Sequence, residues 1–320
     1  MSSMLNSSSM LAALSRRDFV RACAAVPLGA ALTAPILGDD KGTASLQTTK
    51  LDENLLLISG AGGNVVLIVT PDGLGLVDGG LPARSEDLLR LVAEQGHELP
   101  VKVLLNTHWH LDHTGSNENL GRAGAKIIAH ANTRKWLRTT VFEEMQNRTY
   151  QPHPPEGIPT EIFYDSGKMT FGKFQIEYSH LPFGHTDGDI SIFLPDSNIL
   201  IVSDVLAVGR YPVMDYSTGG WIGGMEEANS QLLAKADAKT RIIAGTGGIW
   251  SKQDLQAQHE MIAAVKDRVV KLVRLGKGYS EIVAAAPTKD FDAQWGNSDQ
   301  FLTMTYRGIM RNIHEIGGII

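Results

Sequence analysis

The strongest constraint on this chain is the run HWHLDH at residues 108–113, which holds three histidines and one aspartate. It directly follows the apolar run Val101–Leu105, which predicts a buried strand. On a tight loop from strand to helix, His108 and His110 can face one point and share a cation, while Asp112 and His113 turn towards a second. The chain has only 10 histidines in 320 residues, so chance clustering is a poor explanation. We therefore predict a fold in which a buried strand leads into a metal site.

The composition limits which side chains can hold that metal. The single cysteine, Cys23, excludes an internal disulfide and a thiolate-rich metal cluster, so histidines and carboxylates must be the ligands. With 29 Lys+Arg against 35 Asp+Glu, the net charge of -6 argues against a nucleic-acid partner. We expect a small-molecule substrate, and the sequence leaves the oligomeric state open.

Residues 1–45 are predicted to be a targeting segment rather than part of the fold. The run SRRDF at residues 15–19 places a twin arginine before an aromatic residue, as in Tat signals that export folded proteins. The apolar stretch that follows is too short and too rich in Ala, Gly and Pro for a stable membrane span. We expect cleavage after Ala34 or Ala44, no transmembrane segment afterwards, and a periplasmic or exported protein. The alternative is a soluble amphipathic N-terminal helix with a chance arginine pair.

From about Leu51 the sequence alternates short strands and helices. Strands are predicted at residues 55–59, 64–70, 75–78, 101–105, 126–129, 173–180, 190–194, 199–202 and 241–244. Helices are predicted at residues 85–95, 132–138, 226–234 and 252–275. The polar residues 145–159, with four prolines, are predicted to form a loop. This order favours an α/β fold of two layers packed sheet to sheet, with one domain over residues 46–250 and C-terminal helices at 251–320 packed on it.

The segment HWHLDH resembles the HxHxDH signature of the metallo-β-lactamase fold superfamily, over roughly residues 51–250. The resemblance implies a four-layer αβ/βα sandwich with metals at the sheet edges. The run FGHTDGD at residues 183–189 is similar to the superfamily's GHT loop, which makes His185 the third ligand of the first metal. Asp204 ends a predicted strand where hydrolases of this superfamily keep a bridging aspartate. Asp78 matches an early aspartate that supports the metal loop, or it is a turn residue.

The sequence departs from the family pattern at the last ligand position. The family commonly has a Pro-Gly-His-Gly-like turn there, whereas this chain has AGTGG at residues 244–248, with Thr246 in place of the second metal's histidine. A neutral hydroxyl is a poor zinc ligand, so the second site keeps Asp112, His113 and a shared Asp204. We expect one strong metal site and a second that is weak or empty.

The resemblance implies a zinc-dependent hydrolase that cleaves an ester, lactone, thioester or amide through metal-bound hydroxide. Zinc held by three histidines with one open position lowers the pKa of bound water to about 7. Asp112 would orient that water and carry its proton to the leaving group.

Four other aromatic or histidine residues receive weaker predictions. Tyr211, in a segment that resembles the lip of a periplasmic subgroup of these hydrolases, would donate a hydrogen bond to the substrate or would serve in packing. Trp109 and Trp221 would line the pocket or pack in the core or at the rim. His180 is expected at the surface or behind the ligands.

Two rival functions remain open. His108, His185 and Asp204 could form the two-histidine, one-carboxylate iron site of a dioxygenase of this same fold. The missing histidine could instead mark a degenerate, non-enzymatic accessory protein of the periplasm. Bound iron and oxygen consumption would favour the first, and absence of metal or turnover would favour the second.

Overall fold

A computed structural model describes residues 45–317. Its α-helices are α1 (Ser85–Gln95), α2 (Leu111–Thr114), α3 (Asn117–Arg122), α4 (Ala131–Leu137), α5 (Ile222–Lys235), α6 (Lys252–Arg274), α7 (Tyr279–Ala284), α8 (Asp292–Trp295) and α9 (Asp299–Arg311). Its strands are β1 (Gln47–Asp52), β2 (Leu55–Ala61), β3 (Gly63–Thr70), β4 (Gly73–Val77), β5 (Val101–Leu105), β6 (Lys126–His130), β7 (Val141–Glu143), β8 (Arg148–Tyr150), β9 (Glu161–Phe163), β10 (Ser166–Phe171), β11 (Phe174–His180), β12 (Ile190–Leu194), β13 (Ile199–Ser203), β14 (Arg241–Ala244) and β15 (Ile249–Trp250).

Within residues 45–317, the first sheet has seven strands in the order β1-β2-β3-β4-β5-β6-β9. Strands β1 to β4 pair antiparallel, whereas β4, β5, β6 and β9 run parallel. Because parallel neighbours end at the same edge of a sheet, the loops after β4 and β5 lie side by side. These two loops carry Asp78 and the histidine segment 108–113.

In the described part of the chain, the second sheet has six strands in the order β10-β11-β12-β13-β14-β15. Among the described strands of this sheet, only β13 and β14 pair in parallel, so the loops that carry Asp204 and Thr246 also leave one edge together. His185 lies in the connection between β11 and β12, which pair antiparallel.

Three apolar clusters among the described residues separate the layers of the fold. The inner cluster lies between the sheets and takes buried side chains from both, such as Val66 and Val103 of the first and Ile192 and Ile201 of the second. A second cluster packs α1 and α3 on the outer face of the first sheet. The largest packs α5, α6 and α9 on the outer face of the second. The predicted four-layer sandwich is therefore confirmed, and the C-terminal helices form part of its outermost layer.

Double-sided burial explains why the central strands are nearly continuous apolar runs. Strand β3 is covered by helices on one face and by the other sheet on the opposite face, and seven of its eight residues are buried. Strand β1, at the edge of the sheet, has only one buried residue in six.

The prediction of a plain loop at residues 145–159 is wrong in part. Strand β8 pairs antiparallel with β7 to form a two-stranded hairpin, which packs near Trp109 through Tyr150. Strands of three residues are too short for an alternation pattern to be recognised, so the sequence did not reveal them. The prediction also missed β1, β9, β10 and β15.

The predicted export signal at residues 1–45 lies outside the described residues, apart from Ser45. Among the helices between residues 45 and 317, none is long and apolar enough to cross a membrane.

Candidate metal centre

The loops that follow β5, β11 and β13 meet at one edge of the sandwich. His108 comes three residues after β5 ends, and His110 is the residue that precedes α2. His185 lies between β11 and β12, and Asp204 follows β13 directly. The structure therefore brings together side chains from both sheets, and it places all six predicted ligands in one cluster.

The first group of converging nitrogens belongs to His108, His110 and His185. Their ligand atoms all lie within 4.8 Å of one another, and each residue is buried. His110 Nδ1 and His185 Nε2 are 2.8 Å apart. Asp204 Oδ2 lies 3.8 Å from His108 Nε2 and 3.6 Å from His185 Nε2. Three imidazoles thus surround one point, with a carboxylate beside them.

The second group shares Asp204 with the first. His113 Nε2 lies 3.4 Å from Asp204 Oδ2 and 3.5 Å from Asp112 Oδ2. Thr246 is exposed, and its hydroxyl accepts a hydrogen bond from Arg210 Nη2 at 3.0 Å. One imidazole and two carboxylates therefore converge here, which is a poorer ligand set than the first group offers.

Asp78 orients two histidines from behind. His113 Nδ1 donates to Asp78 Oδ2 at 2.8 Å. Thr107 donates its hydroxyl to the same carboxylate at 2.7 Å, and Thr107 Oγ1 lies 3.1 Å from His108 Nδ1. Asp78 has a φ of 63°, a left-handed backbone conformation that is uncommon outside glycine and is held here by these bonds. The predicted supporting role of Asp78 agrees with this geometry.

Residues 213–215 support the other two histidines. His185 Nδ1 donates to the Val213 carbonyl at 2.8 Å, and His110 Nε2 donates to Asp215 Oδ2 at 3.1 Å. The Asp215 N–H in turn donates to the His185 carbonyl at 2.8 Å. Such outer partners fix the tautomer and the orientation of a ligating imidazole.

These outer bonds turn one nitrogen of each ring inward, towards the converging ligand atoms. His108 Nε2 and His113 Nε2 are buried and have no hydrogen-bond partner among the described residues. His110 Nδ1 and His185 Nε2 face each other as two acceptors, and at 2.8 Å such a pair requires a proton or a cation between them. Unpartnered buried acceptors are costly in a folded protein, and a metal ion would satisfy them together. The residues present therefore fit a transition metal that prefers imidazole and carboxylate ligands.

The pKa values of the histidines in this cluster are shifted in opposite directions. The pKa of His185 falls to about 4, first because the ring is buried and second because His110 repels its charge. Burial and the neighbouring His113 place the pKa of His108 well below its usual value. Both rings are therefore neutral at pH 7, which is the form that binds a metal.

The carboxylates have the opposite effect on His113. Burial acts to lower the pKa of His113, but the charges of Asp112 and Asp78 outweigh it and raise that pKa well above its usual value. Burial acts to raise the pKa of Asp204, yet the attraction of His113 holds it well below its usual value. Asp204 is thus an anion that lies between the two groups.

Tyr211 occupies a packing position. It is 7% exposed, its ring stacks on Phe301 with centroids 4.6 Å apart, and its hydroxyl donates to Asp292 at 2.8 Å. A hydrogen bond from Tyr211 to a substrate would require that bond to break, so this role stays a prediction without a contact to support it.

Trp109, Trp221 and His180 also pack against neighbouring residues. Trp109 is buried in a small apolar cluster and donates to Thr218 Oγ1 at 3.1 Å. Trp221 is partly buried against the largest core cluster. His180 lies outside both ligand groups, where it stacks on His130 with ring centroids 3.9 Å apart and planes 6° from parallel.

The sequence analysis missed the supporting roles of Thr107, Val213 and Asp215. A backbone carbonyl such as that of Val213 has no sequence signal. The Asp215 carboxylate accepts hydrogen bonds from the N–H groups of Ser217 and Thr218. An aspartate just before such residues indicates a turn rather than a partner for a histidine.

Comparison with known proteins identifies the family. The chain is 31% identical over 165 residues to the hydroxyacylglutathione hydrolase GloC of Haemophilus influenzae, which covers 51% of this chain and 76% of that protein. Its structure is similar to a metallo-beta-lactamase from Pontibacter korlensis, with a TM-score of 0.56, 19% identity, and coverage of 68% of this chain and 99% of that one. It is also similar to the sec-alkylsulfatase Pisa1 from Pseudomonas sp., with a TM-score of 0.58, 18% identity, and coverage of 75% and 45%. At these identities the structural matches show the fold alone. The model of the Metallo-beta-lactamase superfamily matches residues 58–247, and the chain therefore belongs to that superfamily.

Proposed function

We propose that this chain is a metal-dependent hydrolase of acyl compounds with one strong metal site and one weakened site. The observation that carries the proposal is the convergence of His108, His110 and His185, whose outer hydrogen bonds turn one nitrogen of each ring inward. Three protein ligands with an open position are the arrangement of catalytic zinc sites. Zinc is accordingly the metal that we propose.

A thioester is the first substrate class to test. The relative from Haemophilus influenzae is named a hydroxyacylglutathione hydrolase, and hydroxyacylglutathiones are thioesters. Esters, lactones and amides present the same acyl carbon and remain in the proposal. Pocket shape rather than the metal ligands selects among them.

Each group in the cluster has a defined part in such a reaction. A zinc ion held by the first group would supply Lewis acidity and a water that is acidic at neutral pH. Asp112 has the position to accept a proton from water and to pass it to the leaving group, because its carboxylate lies beside His113 at the same edge. Asp215 and Val213 hold the rings of His110 and His185 in place, and burial excludes bulk water from them.

A mononuclear iron oxygenase is the second candidate. Asp204 Oδ2 lies within 4 Å of both His108 Nε2 and His185 Nε2, so a two-histidine, one-carboxylate set is present. Iron in the purified protein and consumption of oxygen would favour this activity. The remaining hypothesis is a non-enzymatic accessory protein. Under that hypothesis the protein turns over no acyl substrate.

We also propose that the protein is exported through a twin-arginine signal. The support for this is the sequence SRRDF at residues 15–19 and the apolar stretch after it. A fusion of residues 1–45 to a reporter, compared with the same fusion carrying Arg16→Lys and Arg17→Lys, tests the export step directly.

The deciding experiment is elemental analysis of the folded protein, followed by turnover of thioester and ester panels. About one zinc per chain with thioester or ester turnover supports the proposal, and iron or no metal contradicts it. His110→Ala should remove first-site metal and activity together, because it removes one of three ligands. The matched control is His314→Ala, at an exposed histidine near the C-terminal end of the described residues, which should change neither. Retention of metal by His110→Ala would refute the ligand assignment.

A further inference from the structure

A guanidinium is hydrogen-bonded to Thr246, the residue that takes the place of the second site's missing histidine. Arg210 Nη2 donates to Thr246 Oγ1 at 3.0 Å. Thr246 directly follows Gly245, and a Cβ added to Gly245 would clash with Asp204 Oδ1. The loop that anchors Arg210 therefore packs against the carboxylate that both metal groups share.

The anchoring loop is fixed to the first sheet. Asn64 is buried, and its side-chain amide donates to the carbonyls of Ala244 and Gly247 at 2.9 and 3.0 Å. Its backbone N–H donates to the Gly245 carbonyl at 2.7 Å. The neighbouring Gly63 lies against the second site itself, because a Cβ there would be 2.8 Å from His113 Nε2. Thr246 thus has a defined position relative to the second group, and so does the guanidinium bound to it.

The charge of Arg210 is not neutralised locally. Between residues 45 and 317, no carboxylate lies within ion-pair distance of its guanidinium, and its hydrogen bond goes to a neutral hydroxyl. Arg210 belongs to the same loop as Asp204, and Gly209, with a φ of 71°, turns the chain just before it. Arg210 therefore carries a positive charge with free donors and is bound to a loop that packs against Asp204, beside a second group that offers a poor ligand set for a cation.

We propose that Arg210 supplies the positive charge that a second metal ion would otherwise supply, by donating hydrogen bonds to the carbonyl oxygen of the substrate. The proposal rests on the hydrolase function given above. Water adds its oxygen to the acyl carbon, and the carbonyl electron pair moves onto the oxygen beside Arg210. The electron pair on that oxygen then re-forms the carbonyl as the bond to the leaving group breaks. The alcohol, thiol or amine departs with the electron pair of the broken bond and with a proton that came from the water. Arg210 stabilises the charge on the carbonyl oxygen between these two events.

The first test measures metal affinity and does not depend on turnover. The dissociation constant of a second zinc ion is measured by competition with a chelating dye, in the wild type, Arg210→Ala, Thr246→His and the double variant. If the charge of Arg210 lies at the second site, its removal should tighten second-zinc binding at least about fivefold in both backgrounds, through loss of like-charge repulsion. The control is Lys239→Ala, at an exposed cation in the turn before β14 and thus at the opposite end of that strand from Thr246, and it should not change the affinity. Equal affinities with and without Arg210 overturn the proposal.

The second test measures hydrolysis of 4-nitrophenyl acetate and phenyl thioacetate. Arg210→Ala should lower kcat about 100- to 1,000-fold with little change in KM, as for loss of one oxyanion donor. Arg210→Lys keeps the charge and should recover part of that loss. A kcat within about threefold of the wild type in Arg210→Ala overturns the proposal. If the wild type hydrolyses no acyl compound, the proposed function fails, and the zinc affinities still decide whether the Arg210 charge lies at the second site.

Discussion

Protonation of His130 should destabilise the fold as the pH falls below neutral. His130 is 4% exposed, and its Nε2 donates to the Tyr164 carbonyl at 2.9 Å while its Nδ1 accepts the Asn132 N–H at 3.3 Å. Burial first, and repulsion from the stacked His180 second, lower the pKa of His130 from 6.5 to about 4. A protonated Nδ1 would also lose the acceptor that caps α4.

The size and sign of the effect follow from the two pKa values. In the unfolded chain His130 binds a proton below about pH 6.5, whereas in the folded chain it binds one only below about pH 4. The stabilisation from neutral His130 is therefore complete above pH 6.5 and is lost as the pH falls through this window. At about 1.4 kcal/mol per pKa unit, the loss is about 2 kcal/mol at pH 5 and about 3 kcal/mol below pH 4.

Urea unfolding at pH 7.5, 6 and 5 measures this loss when the wild type is compared with His130→Asn. Asparagine can cap α4 but does not titrate, so the variant should lose about 2 kcal/mol less than the wild type between pH 7.5 and 5. Metal release at low pH affects both proteins alike and cancels in the difference. His314→Asn, at an exposed position, is the control and should behave as the wild type does. Parallel losses in the wild type and His130→Asn would refute the reasoning.

Three further predictions concern the metal centre and its support. Asp215→Asn should weaken first-site zinc binding about 10- to 100-fold, because it removes the anion that accepts from His110; a dye-competition titration measures this, and unchanged affinity would count against the supporting role. Thr246→His should raise zinc content towards two per chain in elemental analysis, and an unchanged ratio would argue against the placement of Thr246. Leu104→Ala should lower the free energy of unfolding by about 2–5 kcal/mol, because Leu104 is fully buried in β5; Leu275→Ala, at a residue that is 66% exposed, should change it little, and equal effects would contradict the packing argument.

The sequence predicted the strands of the core because burial on both faces gives them continuous apolar runs. Strand β5 and the histidine segment after it are found where the pattern placed them, and so is the long helix α6. The short strands β7, β8 and β9 were missed, since three residues carry no readable period and depend on tertiary pairing.

For the site, the sequence predicted ligands but not what holds them. His185 and Asp204 could be named because each stands in a motif after a strand. The contact between Asp215 and His110 joins residues 105 positions apart, and the bond from Arg210 to Thr246 joins two loops that only the fold brings together. Local pattern contains no information on such pairings. The packing of Tyr211 on Phe301 of the C-terminal helices could not be predicted from the sequence for the same reason.

The origin of the ligands has a consequence for how the protein holds together. His110 and His185 lie 75 residues apart in the chain and come from loops of different sheets. A cation bound between them would act as a cross-link in a chain whose one cysteine permits no internal disulfide. Because such a cross-link exists only in the folded state, free zinc at 100 times its dissociation constant would add about 2.7 kcal/mol to the free energy of unfolding. Zinc supply would then set the lifetime of the folded protein as well as its activity, and chelation would loosen the two sheets from each other.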